Sequence, residues 1–75
     1  MSIAKTLDAK GLACPMPIVK TRKAMNDIES GEILEVVVTD KGAKADLTAW
    51  SRSGGHELLD VQEGSEVLTF LIKKA

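Results

Sequence analysis

"EILEVVVTD", residues Glu32 to Asp40, is the stretch that decides the fold. Ile33, Leu34, Val36, Val37 and Val38 make it β-branched and nearly continuous in apolar residues. Such a run reads as a central strand covered by helices on at least one face. The segments on either side supply those helices.

Upstream, a helix is expected to begin at Pro15. Proline suits the first helical position because the N–H it lacks would have no partner there, and Pro17 still falls within the first turn. Ile18, Ala24, Met25 and Ile28 then recur at helical spacing, with Lys20, Arg22, Lys23 and Asn26 mostly on the other side. Ser30-Gly31 is expected to close this helix. Before it, Asp8 to Ala13 reads as a loop in which Gly11 supplies backbone freedom, and "IAKTL" (Ile3 to Leu7) reads as a first strand.

Downstream, "KGAKADLTAWSRSGG" places Ala43, Leu47 and Trp50 at i, i+4 and i+7, a second helix stopped by Gly54-Gly55. "HELLDVQ" and "EVLTFLIKK" are two further strands, joined by the glycine-bearing turn "EGS". In the last strand Leu68, Phe70 and Ile72 share one face, and Val67, Thr69 and Leu71 the other. The order β-α-β-α-β-β predicts a two-layer α/β (α+β) sandwich, a four-stranded mixed sheet with both helices on one face.

The chain has 75 residues, enough for one domain spanning 1–75, and a chain of this size buries only about 60% of its unfolded surface. One Trp, one Phe and no Tyr leave the core to aliphatic side chains. The formal net charge of -1, with both signs interspersed along the chain, offers no electrostatic case for nucleic acid or an anionic membrane. There is no apolar run of membrane-spanning or signal-peptide length, so a cytoplasmic location is the expectation. A single cysteine cannot form an internal disulfide, which agrees with a reducing compartment.

That cysteine, Cys14, stands directly before the expected helix start. A helix N-terminus carries outward N–H groups and about +0.5 charge, and both stabilise an anion. A thiol there titrates below its free value of about 8.5. Pro15 and Pro17 stiffen the helix start, and the Met16 N–H is a donor that could face the sulfur. Free cysteines are also common as small buried fillers. There is no Cys-x-x-Cys for dithiol exchange. His56 is the only histidine, and its distance from Cys14 is not readable from sequence. One Cys and one His make a poor metal set, so no metal site is expected. An exposed anionic sulfur without further apparatus suits a carrier that takes a group from one partner and hands it to another.

The chain resembles the TusA (SirA-like) sulfur-carrier family. The match lies in Leu7-Asp8, Gly11-Leu12, the Cys-Pro-x-Pro motif of Cys14 to Pro17, Arg22-Lys23, and "DLTAWSRSGGHELL". The resemblance covers nearly the whole chain and implies the same β-α-β-α-β-β sandwich. It also implies that Cys14 carries a persulfide sulfur, with no other cofactor. The donor would be a cysteine desulfurase or a rhodanese-type sulfurtransferase. A downstream acceptor protein would take the sulfur into tRNA thiolation, cofactor synthesis or sulfur metabolism. On this reading the protein is a stand-alone relay, sulfurtransferase-like, and not a self-contained enzyme. Asp8 and Gly11 fall on motif positions. Asp8 could hold the cysteine loop by a hydrogen bond, and Gly11 could supply a backbone bend. Lys20, Arg22 and Lys23 could form a basic docking face. Many members have Asp-Pro where this chain has Asp40-Lys41. Two other functions compete: an RNA-binding module, which the near-neutral charge and scarce aromatics argue against, and a regulatory module with a redox-sensing thiol.

Overall fold

The computed structural model describes residues 3–13 and 15–75. Its elements run β1 (Ile3–Ala9), α1 (Met16–Met25), β2 (Ile33–Val38), α2 (Ala43–Ser53), β3 (Glu57–Glu63) and β4 (Leu68–Lys73). The sheet order is β1-β2-β4-β3. β1 and β2 are parallel, and β4 pairs antiparallel with both β2 and β3. The sandwich expected from the sequence is therefore the one formed, with both helices on one face of the sheet.

The alternation of β2 and β4 sets the core. Leu34, Val36 and Val38 are fully buried beside Ile72, Phe70 and Leu68, their partners across the ladder. Met25, Ile28, Ala43 and Leu47 close over them from the helix layer. Burying Phe70 alone contributes about 1.5 to 3 kcal/mol. The opposite sheet face is open and carries Glu35, Val37, Thr69 and Leu71 at the intervening register positions.

Several boundaries differ from the sequence reading. β1 continues to Ala9, because Asp8 and Ala9 pair with Val37 and Val38. The loop is therefore shorter than Asp8 to Ala13. Helix α1 ends at Met25, well before Ser30-Gly31. Successive i→i−3 bonds tighten the chain there: Asn26 N–H to Lys23 O, Asp27 N–H to Ala24 O and Ile28 N–H to Met25 O. Ile28 stays buried and so keeps the apolar spacing after the helix has stopped. Gly31, at φ +87°, belongs to the following turn, where its N–H donates to Lys74 O. The last strand is trimmed at both ends, with Gly64 N–H donating to Val67 O to close the β3–β4 turn.

Candidate functional site

The direction of the strands places the site. β1, β2 and β3 all point the same way, so α1 and α2 both return along the sheet in the opposite sense. Their N-termini meet at the C-terminal ends of β1 and β2. Pro15, Pro17 and Ile18 of the first helix start pack against Asp40, Ala43 and Asp46 of the second, with no cavity that a water could enter. Two macrodipoles, each worth about +0.5 charge, thus end at one corner of the molecule.

The segment leading into that corner is shaped by short bonds. Asp8 Oδ1 accepts from Lys10 N–H at 3.0 Å, and Leu12 N–H donates to Ala9 O at 3.3 Å. Gly11 lies at φ +80°, a backbone region that side chains disfavour, and its N–H donates to Thr39 Oγ1 at 2.9 Å. This bond ties the loop after β1 to the loop after β2. Cys14 itself lies outside the described residues, and its neighbours Ala13 and Pro15 are both exposed.

The helix start differs from the sequence expectation in one respect. Pro15 is the N-cap residue, without a side-chain cap, and Met16 opens the helix. Met16 N–H already donates to Ala13 O at 2.9 Å, so it is not the free donor expected to face a sulfur. Pro15 and Pro17 have no N–H to offer. The two prolines also differ from each other. Pro15 is exposed, whereas Pro17 is fully buried and its carbonyl accepts from the buried Thr21 hydroxyl at 2.7 Å.

The three candidate docking cations part company. Lys20 and Lys23 fall on one face of α1 with Met16 and Val19, at positions i, i+3, i+4 and i+7. Met16 and Val19 are large apolar side chains exposed by 39% and 46%. Arg22 points elsewhere: it lines a cleft with Met25, Asn26, Trp50, His56 and Lys74 at the far end of the helix layer. His56 is at that end too. Its Nδ1 accepts from Ala75 N–H at 3.0 Å, and its ring lies 5.1 Å from the Trp50 ring. It is therefore about a helix length, some 15 Å, from Pro15 and in no position to serve as a base there.

Sequence reasoning missed Asp40 and Asp46. Both stand beside the prolines in space. Asp40 shapes the turn before the second helix, its Oδ1 accepting from Gly42 N–H at 3.0 Å and its carbonyl from Ala43 N–H at 3.1 Å, while Gly42 is the N-cap residue and the helix has no side-chain cap. The charges also sort by layer, although they are interspersed along the chain. The two helices carry Lys20, Arg22, Lys23, Lys44 and Arg52 against Asp46 alone, while the open sheet face carries Asp8, Glu35, Glu57 and Asp60 against Lys73. Among the described residues no group of three His, Cys, Asp or Glu could hold a metal ion, and no helix is long and apolar enough to cross a membrane.

The family model described as sulfurtransferase TusA matches residues 5–74. The chain belongs to the TusA family of sulfur carriers. It is 66% identical over 74 residues to YrkI of Bacillus subtilis (strain 168), covering 99% of each chain. It is 42% identical over 69 residues to the sulfur carrier protein TusA of Allochromatium vinosum, covering 92% of this chain and 91% of the other. The crystal structure of a SirA-like protein from Desulfitobacterium hafniense has the same fold, with a TM-score of 0.80 at 24% identity over 92% of this chain and 95% of that one. A carrier role in sulfur relay, and not self-contained catalysis, follows from this membership. Pro15 and Pro17 of the Cys-Pro-x-Pro motif stand at the corner where the two helix starts meet.

Proposed function

We propose that Cys14 is the sulfur-carrying residue and holds its cargo as a persulfide. The observation that supports this most is positional: in sequence the chain's only cysteine directly precedes Pro15, the N-cap residue of α1, which stands where both helix N-termini converge. The Cys14 thiolate attacks the outer sulfur of a persulfide on the donor, a cysteine desulfurase or a rhodanese-type sulfurtransferase. A new S–S bond forms on Cys14, the donor's S–S bond breaks, and the electron pair leaves with the donor thiolate. With no second cysteine in the chain to resolve the persulfide, discharge requires a nucleophile on the acceptor.

Asp8, Gly11, Pro15 and Pro17 position this sulfur by fixing the turn and the helix start. The electrostatics are a balance. Two helix N-termini favour negative charge at this corner, and the carboxylates of Asp40 and Asp46 oppose it. Lys20 and Lys23, with Met16 and Val19, form the docking strip for a partner surface with an apolar centre and an acidic rim. Arg22 lies outside that strip.

Replacing Cys14 with Ser tests the assignment. Serine is a preferred residue near a helix start, so circular dichroism and the melting curve should be unchanged while transfer of labelled sulfur falls to background. A Cys14→Ser protein that still accepts label would mean that the sulfur is held elsewhere. Loss of the fold would mean that Cys14 is a packing residue.

A further inference from the structure

The far end of the helix layer holds a second concave feature, unrelated to the cysteine corner. A cleft of about 210 Å³ opens between the C-terminal ends of α1 and α2, lined by Arg22, Met25, Asn26, Trp50, His56 and Lys74. We propose that this cleft binds a small oxyanion of the phosphate or sulfate type.

The lining is rich in donors and contains no carboxylate. Among the described residues the Arg22 side chain makes no ion pair or hydrogen bond, so its planar fork of N–H groups is available. Lys74 Nζ donates to Ile28 O at 2.6 Å, which fixes the ammonium at the cleft and leaves two of its three protons for a ligand. The Asn26 side-chain amide adds a neutral donor. Two carboxylates of the α1–β2 connection are engaged elsewhere: Asp27 with Lys5 at 2.6 Å, and Glu32 Oε1 with the Glu29 N–H at 2.6 Å. Two helix C-termini contribute about −0.5 charge each, which the guanidinium and the ammonium exceed once the ligand is within hydrogen-bond reach.

The walls are fixed. The Trp50 and His56 rings lie 5.1 Å apart at a tilt of 32°, and Ala75 N–H pins His56 at Nδ1. Gly54 leaves the space that the imidazole fills, since a Cβ there would meet His56 Cδ2 at 2.9 Å. Pockets for drug-sized ligands run to about 300–1,000 Å³, so this smaller cleft suits a compact oxyanion better than a nucleotide.

Trp50 is the only tryptophan, so its emission reports on the cleft directly. Inorganic phosphate and, separately, sulfate should be titrated at constant ionic strength made up with sodium chloride. The expected result is a saturable change in Trp50 emission, weakened at least about tenfold in Arg22→Gln. The Lys20→Gln control removes the same charge from the outer face of α1 and should bind as the parent does. Cys14→Ser should also bind normally, which separates this site from the sulfur reaction. Backbone amide shifts on adding phosphate should centre on Asn26, Trp50 and His56 in the unmutated protein. A response that never saturates, equal losses in Lys20→Gln and Arg22→Gln, or shifts centred on another surface would overturn the proposal.

Discussion

At the end of the helix layer where α1 begins, the chain is shaped mostly by local bonds: Lys10 N–H to Asp8, Leu12 N–H to Ala9 and Met16 N–H to Ala13. The bond from Gly11 N–H to Thr39 crosses the fold. At the opposite end the ties are long-range. Gly31 N–H donates to Lys74 O, Lys74 N–H to Glu32 O, Lys74 Nζ to Ile28 O and Ala75 N–H to His56. The first arrangement sets the geometry of a turn, and the second clamps the last strand to the helix–strand connection. Changes at the first end should alter chemistry, and changes at the second should alter stability.

Pro17 is the sharpest exception, because it belongs to the chemical end and yet is fully buried. Pro17→Ala removes two ring methylenes from the contact between the helix starts and should cost about 1.5 kcal/mol. The exposed Pro15→Ala should stay within about 0.5 kcal/mol. Urea unfolding of the two variants checks the difference. Equal midpoints would break the claim that this end contributes packing as well as geometry. Transfer of labelled sulfur should slow in both variants, since each loosens the helix start.

The clamped end offers the complementary case. Gly54→Ala brings a Cβ to 2.9 Å from His56 Cδ2 and 3.1 Å from Nε2, so the ring must leave Trp50 and weaken its bond to Ala75. About 1 kcal/mol of stability should be lost, together with the Trp50 emission of the parent, while sulfur loading is unchanged. A loading defect in this variant would contradict the division between the two ends.

The smallest effect concerns pH. The Lys5 ammonium, hydrogen-bonded to Asp27 at 2.6 Å, holds that carboxyl below its ordinary value. A folded pKa below the unfolded one gives a contribution that is present above about pH 4 and is lost as pH falls through the lowered value. Both groups are well exposed, so the effect should be slight and screened by salt. Asp27→Asn should flatten the acid limb of the stability profile marginally while leaving sulfur loading unchanged.

Particular residues show how far sequence alone reaches. The alternation of Leu68, Phe70 and Ile72 and the run from Ile33 to Val38 made the strands and their buried face readable. The end of α1 was not, because Ile28 continues the helical spacing while the backbone has already turned. Lys20 and Lys23 separate from Arg22 by simple helical rotation, a signal that was present and unused. Asp40 and Asp46 near the prolines carried no signal, since their approach depends on two helix starts meeting in space. The sorting of basic charge to the helices and acidic charge to the open sheet face is likewise a product of topology.

The central claim is that sulfur rides on Cys14. Intact-mass analysis after incubation with a cysteine desulfurase and cysteine, followed by peptide mapping, tests it most directly. The account predicts a gain of one sulfur atom, confined to the peptide containing Cys14 and removed by a thiol reductant. An unchanged mass under conditions that load another TusA-family carrier, or an added sulfur on a peptide without Cys14, would contradict it.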